Sequence, residues 1–280
     1  MGGRHLPGQV LGRAVRGLLL DLDGTLYTEA GPIPGAVVAI EQLRRRGVFL
    51  RFVTNTTRRP RSFIVERMRG YGFAVSPDEV FSAVMAGRAL LEREGIDVIA
   101  PFVSREALVD LGGLELVGGT SGSPVPTGAV PRAVLVGDLG DRWTPALLNE
   151  AFRYVMDGAR LIALQRGRYW FGPEGVELDA GAWVAALEYA AGQDAVVCGK
   201  PNAAFFQGAV ASIGAPSDGG DTAIVMVGDD LWSDIQGAQR IGLEGWLVRT
   251  GKFSEDVLRS SGIEPDRVID SVADLARGVE

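Results

Sequence analysis

Two textures alternate along the chain: short continuous apolar runs that end abruptly in polar residues, and longer segments whose apolar residues recur at helical spacing. Leu18-Leu19-Leu20 runs into Asp21-Leu22-Asp23-Gly24-Thr25, and 48–53 runs into Thr54-Asn55-Thr56-Thr57. Ala195-Val196-Val197-Cys198 runs into Gly199-Lys200-Pro201, and 223–227 into Gly228-Asp229-Asp230. An apolar run without alternation predicts a strand buried on both faces, as at the centre of a parallel sheet. The segment that follows Pro34-Gly35 carries Val37, Ile40 and Leu43 on one face and closes with Arg44-Arg45-Arg46-Gly47. That pattern predicts a helix with a solvated, cationic C-terminal end. Strands alternating with helices predict an α/β fold built on a doubly wound parallel sheet.

The alternation restarts once. From 84 to 191 the pattern predicts a helix to about Glu94, strands at 98–103, 133–136 and 161–164, and a Gly/Ser/Pro-rich loop at 118–126. It further predicts a helix at 145–156, a hairpin over 166–176 and a helix at 182–191. This reads as an α+β domain inserted between two parts of one core, 17–83 and 192–280. Residues 1–16, with glycine and arginine but no continuous apolar stretch, are expected to form a mobile tail.

In a doubly wound sheet, strand ends such as Asp21/Asp23, Thr54/Asn55, Lys200 and Asp229/Asp230 gather at one edge, the edge where ligands bind. Each has an ordinary explanation as a turn, an N-cap or a surface lysine; their convergence favours an active site. Like charges as close as Asp21 and Asp23 call for a cation or a shared proton. Aspartates alone are hard oxygen donors and favour magnesium, with Asp21, Asp229 and the backbone carbonyl of Asp23 as ligands. Asp21 is placed as a nucleophile toward phosphorus and Asp23 as general acid and base. Thr54 and Asn55 would hold phosphoryl oxygens, and Lys200 would neutralise charge. Val134-Leu135-Val136-Gly137-Asp138 mimics Val225-Met226-Val227-Gly228-Asp229, but it lies inside the insert, so Asp138 is expected to be a loop residue.

Composition narrows the chemistry. The 280 residues hold one cysteine, Cys198, which excludes an intrachain disulfide and a thiolate metal cage, and one histidine, His5, whose place in the expected tail argues against a Ser-His-Asp arrangement. A net charge of -7 argues against nucleic acid or anionic membrane as partner. No apolar stretch approaches the roughly 18 residues of a membrane span, so a cytoplasmic location is expected.

Asp21-Leu22-Asp23-Gly24-Thr25, Thr54-Asn55, Gly199-Lys200-Pro201 and Gly228-Asp229-Asp230 with Ser233-Asp234-Ile235 resemble, in order, the four motifs of haloacid dehalogenase superfamily hydrolases. The insert resembles the C2-type cap of the NagD-like (nitrophenylphosphatase) branch. The resemblance implies a magnesium-dependent phosphatase acting on a small phosphorylated substrate through an aspartyl phosphate, and a homodimer formed through the cap. Asp230 and Asp234 are candidates for supporting the ligands. Arg166, Arg168 and Tyr169, in the hairpin, are candidates for substrate specificity, or else one face of an ordinary hairpin. Two relatives in the branch carry serine at the Asp23 position; the aspartate here favours full acid/base catalysis on phosphomonoesters. A phosphotransferase or mutase of the same superfamily and a catalytically silent binding protein are the competing readings.

Overall fold

In a computed structural model, residues 9–10, 13–127, 129–172, 175–213 and 222–278 are described. His5, Pro173 and the loop at 217–221 fall outside them, as does the side chain of Trp170. The chain divides into two compact units. The first comprises Met1–Thr54, Ile64–Phe81 and Lys200–Glu280, and the second Asn55–Phe63 and Ser82–Gly199.

The first unit is organised around one sheet ordered Arg267–Ile269, Glu244–Val248, Thr222–Gly228, Arg13–Asp21, Phe49–Thr54, Val80–Ser82. The central pairings, Thr222–Gly228 with Arg13–Asp21 and Arg13–Asp21 with Phe49–Thr54, are parallel. Leu18, Leu19 and Leu20 have no exposed surface, as expected of a strand covered on both faces. Leu18 and Leu20 join Phe52, Val225, Val227 and Trp246 in the principal core, with Ile40 and Leu43 of the helix Ala36–Arg45 packed there too.

Four sequence expectations change. The central strand begins at Arg13, and Gln9–Val10 pairs antiparallel with it, so part of the expected tail is sheet. The core also gains a strand, Arg267–Ile269, which the apolar pattern did not reveal. Arg44 is not a solvated helix end: its guanidinium grips Glu79 through contacts of 2.5 and 2.9 Å. Most consequentially, Val196–Val197 pairs with Arg160–Ala163 in the second unit's sheet, not in the core. Its side chains are only partly buried, unlike those of the central core strands. Consequently the second unit runs to Gly199, past the boundary expected at 191, and it also takes in Asn55–Phe63.

The second unit has a five-stranded sheet ordered Val196–Val197, Arg160–Ala163, Ala133–Val136, Val98–Phe102, Glu115–Leu116, parallel throughout. Ala133 and Leu135 point into one core and Val134 and Val136 into another, the period-two signature of a sheet covered on both faces. Among the described residues, antiparallel pairing in this unit is confined to the hairpin Tyr169–Gly172 with Gly175–Leu178.

Candidate active site

In the first unit the chain builds outward in opposite directions from the central pair of strands, so the order reverses between Arg13–Asp21 and Thr222–Gly228. Such a reversal opens a crevice beyond the carboxyl ends of the two strands. Asp21 is the last residue of one, and Asp229 directly follows the other. Asp234 comes up beside them from the helical turn Leu231–Gln236. Asp21, Asp229 and Asp234 are all buried, and each offers a carboxylate oxygen within 4.8 Å of the others.

Lys200, 5% exposed, lies among them, with Nζ 2.5 Å from Asp21 Oδ1 and 2.7 Å from Asp234 Oδ1. Three carboxylates set against one ammonium leave two negative charges when all are ionised. A second cation, Lys252, is matched by Asp230, Nζ to Oδ2 at 3.0 Å. The excess therefore stands, and hard oxygen donors carrying it suit a divalent cation such as magnesium. Burial, then the neighbouring carboxylates Asp21 and Asp234, push Asp229 up to about 8. Asp234 is pushed up to about 7 by burial, with Lys200 opposing. Burial also raises Asp21 against the pull of Lys200, while Asp21 and Asp234 hold the Lys200 ammonium above the usual lysine range despite burial.

The backbone is shaped to this cluster. Gly24 and Gly251 both have positive φ, at 88° and 60°. A Cβ on either would overlap Asp229 Oδ2, so the chain passes there only without side chains. The amide of Lys252 donates to the same oxygen at 2.8 Å, and Thr250 Oγ1 donates to the carbonyl of Gly24 at 2.5 Å. Asp230 caps the following turn, accepting from the amides of Trp232 and Ser233 at 3.0 and 2.9 Å, and its own amide donates to Asp234 Oδ2 at 3.2 Å. Asp23, in the loop that Gly24 N closes on Tyr27 O at 2.7 Å, reaches solvent. The protein crowding the rest of its carboxyl still raises it above the usual range, against Arg67, Lys200 and Lys252. Thr54 ends its strand buried, at 2% exposure.

Asp21, Asp23, Thr54, Lys200, Asp229, Asp230 and Asp234 thus all belong to the first unit, and Asn55 opens the second. In the second unit Gly199 lies so close to Asn55 that a Cβ would stand 2.6 Å from Asn55 Oδ1. Sequence reasoning undervalued Asp234, which completes the cluster, and gave Thr250-Gly251-Lys252 no role at the site. The signal available was position: these residues follow the apolar strand Glu244–Val248 just as Asp229 follows Thr222–Gly228.

Comparison with known proteins agrees with this arrangement. The family model of haloacid dehalogenase-like hydrolases matches residues 18–111, and a HAD-hydrolase-like model matches residues 197–275. Human haloacid dehalogenase-like hydrolase domain-containing protein 2 is 39% identical over 241 residues, 86% of this chain and 86% of that protein. The chain belongs to the haloacid dehalogenase-like hydrolases. This hydrolase is also 33% identical to human phospholysine phosphohistidine inorganic pyrophosphate phosphatase, over 97% of its own length and 94% of the relative's. The structure of glycerol phosphate phosphatase from Mycobacterium tuberculosis in complex with magnesium superposes on the hydrolase with a TM-score of 0.79 at 28% identity, covering 93% of this chain and 76% of that one.

The expected specificity residues of the hydrolase divide. Arg166 is committed within the second unit: its guanidinium meets Glu188 Oε2 at 2.5 Å, and Glu188 Oε1 accepts the amide of Ala195 at 3.0 Å. Arg168 and Tyr169 are exposed at the base of the hairpin. Asp138 lies in the second unit and meets Arg58, Nε to Oδ2 at 3.1 Å.

Proposed function

We propose that this hydrolase is a magnesium-dependent phosphatase that removes the phosphoryl group of a small phosphorylated metabolite through an aspartyl phosphate on Asp21. The observation that carries the reading is the buried Asp21, Asp229 and Asp234 cluster around Lys200 at the strand-order reversal. Asp21, Asp229 and the Asp23 carbonyl would hold the ion, supported by Asp234. When bound, the ion supplies positive charge to phosphoryl oxygens.

The chain's own groups do the rest. A carboxylate oxygen of Asp21 forms the bond to phosphorus as the bond to the leaving oxygen breaks, and Asp23 gives its proton to that oxygen. Asp23, now a carboxylate, takes a proton from water; the water oxygen bonds to phosphorus and the bond to Asp21 breaks, releasing phosphate. Its raised carboxyl suits the first step. Lys200 keeps Asp21 oriented and offsets charge, and Thr54 and Asn55 hold phosphoryl oxygens. Relatives named as phosphatases support the reaction class.

A cytoplasmic location and a homodimer formed through the second unit belong to the same proposal. Among the described residues no helix is long and apolar enough to cross a membrane, and Val176 and Leu178 are exposed on the hairpin at 65% and 60%.

The test is phosphate release from a panel of phosphorylated metabolites and an aryl phosphate, with magnesium, with chelator, and with Asp21→Asn. Release confined to the wild type with metal is expected. Equal silence of wild type and Asp21→Asn on every compound would overturn the reading in favour of a binding protein.

A further inference from the structure

The second unit repeats the layout that makes the first a binding site. From Val98–Phe102 the chain steps outward to Glu115–Leu116, then crosses back to build Ala133–Val136, Arg160–Ala163 and Val196–Val197 on the other side. Strand order therefore reverses between Val98–Phe102 and Ala133–Val136, and the crevice beyond their carboxyl ends is where an open parallel sheet takes a ligand. Here the chain's own segment Asn55–Phe63 occupies that place.

The seating is specific. Beyond the first strand, Ser104 Oγ donates to the carbonyl of Arg58 at 2.5 Å. Beyond the second, the Asp138 amide donates to Thr57 Oγ1 at 2.9 Å, and the Asp138 carboxylate receives the Arg58 guanidinium at 3.1 and 3.4 Å. Gly140 N steadies the same carboxylate at 2.7 Å. Thr57 is 2% exposed, and a Cβ on Gly137 would stand 3.2 Å from the Thr57 Cβ, so the glycine lets the segment lie close. Further along, Arg61 N donates to Asp110 Oδ2 at 2.7 Å.

We propose that Asp138 is a positioning residue for phosphoryl binding. It touches no reacting atom. By fixing Thr57 through its amide and Arg58 through its carboxylate, it holds the backbone that immediately follows Thr54 and Asn55. The hydroxyl and amide proposed to receive phosphoryl oxygens are then ordered before substrate arrives, which is where positioning contributes to phosphoryl transfer. The paired contact to a guanidinium makes this anchor stronger than a neutral hydrogen bond. The proposal rests on the phosphatase reading above.

Asp138→Ala, Asp138→Asn, Arg58→Ala and the Asp138→Ala/Arg58→Ala double variant test it. The readouts are kcat and KM for 4-nitrophenyl phosphate with magnesium, inhibition by inorganic phosphate, and amide hydrogen exchange of the peptide 54–58. Asp138→Ala is expected to raise both KM and the phosphate inhibition constant about tenfold and to speed exchange at 54–58, with exchange elsewhere unchanged. Both variants keep the backbone amide that serves Thr57; Asp138→Asn also keeps a side-chain acceptor for Gly140 and should fall in between. The double variant should be no worse than Asp138→Ala, because both changes break one contact. If Asp138→Ala does not fold, Asp138→Asn and Arg58→Ala decide by the same readouts.

An active wild type whose variants keep KM, phosphate inhibition and exchange within twofold overturns the positioning role and leaves the phosphatase reading standing. A wild type that neither releases nor binds phosphate overturns the phosphatase reading and the positioning role with it.

Discussion

Val225-Met226-Val227-Gly228-Asp229 and Val134-Leu135-Val136-Gly137-Asp138 are nearly the same string, and each closes a parallel strand beside the reversal point of its own sheet. Their aspartates meet different company. Asp229 has two carboxylates within 4.8 Å, and its Oδ2 accepts one amide, that of Lys252. Asp138 has a guanidinium and the Gly140 amide. Burial raises both carboxyls, but neighbouring carboxylates drive Asp229 further, whereas Gly140 and Arg58 pull Asp138 back. The difference is that between a site with charge to spare for a cation and a joint whose charge is already met. It comes from neighbouring elements, not from the strand itself.

The largest expected effect separates the two aspartates by rate. Asp21→Asn and Asp229→Asn should each lower phosphate release on the order of 10³-fold or more, because one removes the proposed nucleophile and the other a proposed metal ligand. Asp138→Asn should keep kcat within a fewfold. Comparable losses at Asp229 and Asp138 in folded proteins would erase the distinction.

The cations at the two places should differ next. Lys200 has a side chain 4% exposed and serves Asp21 and Asp234, both buried. Lys200→Met strands those carboxylates and should cost about 3–5 kcal/mol at neutral pH. Arg58 and Asp138 have side chains 32% and 16% exposed, so Arg58→Ala should cost only about 1 kcal/mol. Urea midpoints measure both, and equal shifts would mean that burial does not govern the pair.

The glycines sharpen the contrast. A Cβ on Gly228 would overlap Asp234 Oδ2 and approach the Asp234 Cβ to 2.6 Å, so Gly228→Ala must move a residue of the cluster. The expected cost is about 1–3 kcal/mol, with weakened metal binding. A Cβ on Gly137 meets Val103, Leu164 and Thr57 at 3.0–3.2 Å, distances that side-chain shifts of tenths of an ångström relieve. Gly137→Ala should cost under about 1 kcal/mol.

The string itself cannot reveal which aspartate faces which neighbours, and this marks where the sequence stopped being legible. Leu18-Leu19-Leu20 and 223–227 announced buried strands because burial on both faces requires continuous apolar residues. Asp21 and Asp229 could be brought together because strand ends gather at one edge, whereas Lys200 reaches the site after a strand of the other sheet. Val196–Val197 was misassigned because a short β-branched run fits any sheet, and only pairing with Arg160–Ala163 decides which. Arg267–Ile269 is partly exposed, with no apolar run to announce it. Lys252 and Gly251 act through a backbone amide and an absent Cβ, which residue type does not advertise. Arg44 read as a solvated helix end because Glu79 lies 35 residues away in sequence, and the pairing of Arg58 with Asp138 is hidden in the same way by a separation of 80.

The smallest effect concerns proton and metal together. Asp229 and Asp234, at about 8 and about 7 in the folded chain, stand above the ordinary 3.8 that both approach when unfolded. The folded state therefore binds more protons, and its stability falls as pH rises from about 4 through 8. In chelator the protein should unfold at a lower temperature at pH 8 than at pH 6. A divalent cation must displace those protons, so it binds more tightly at pH 8, where fewer remain. Magnesium at ten times its Kd at pH 8 should restore about 1.4 kcal/mol, a rise in Tm of about 2–4 °C, and the same concentration at pH 6 should restore less. Asp229→Asn should abolish the magnesium-dependent rise at both values, while Asp138→Asn should leave it intact. A rise that is larger at pH 6, or that survives Asp229→Asn, would locate the cation somewhere other than the three carboxylates.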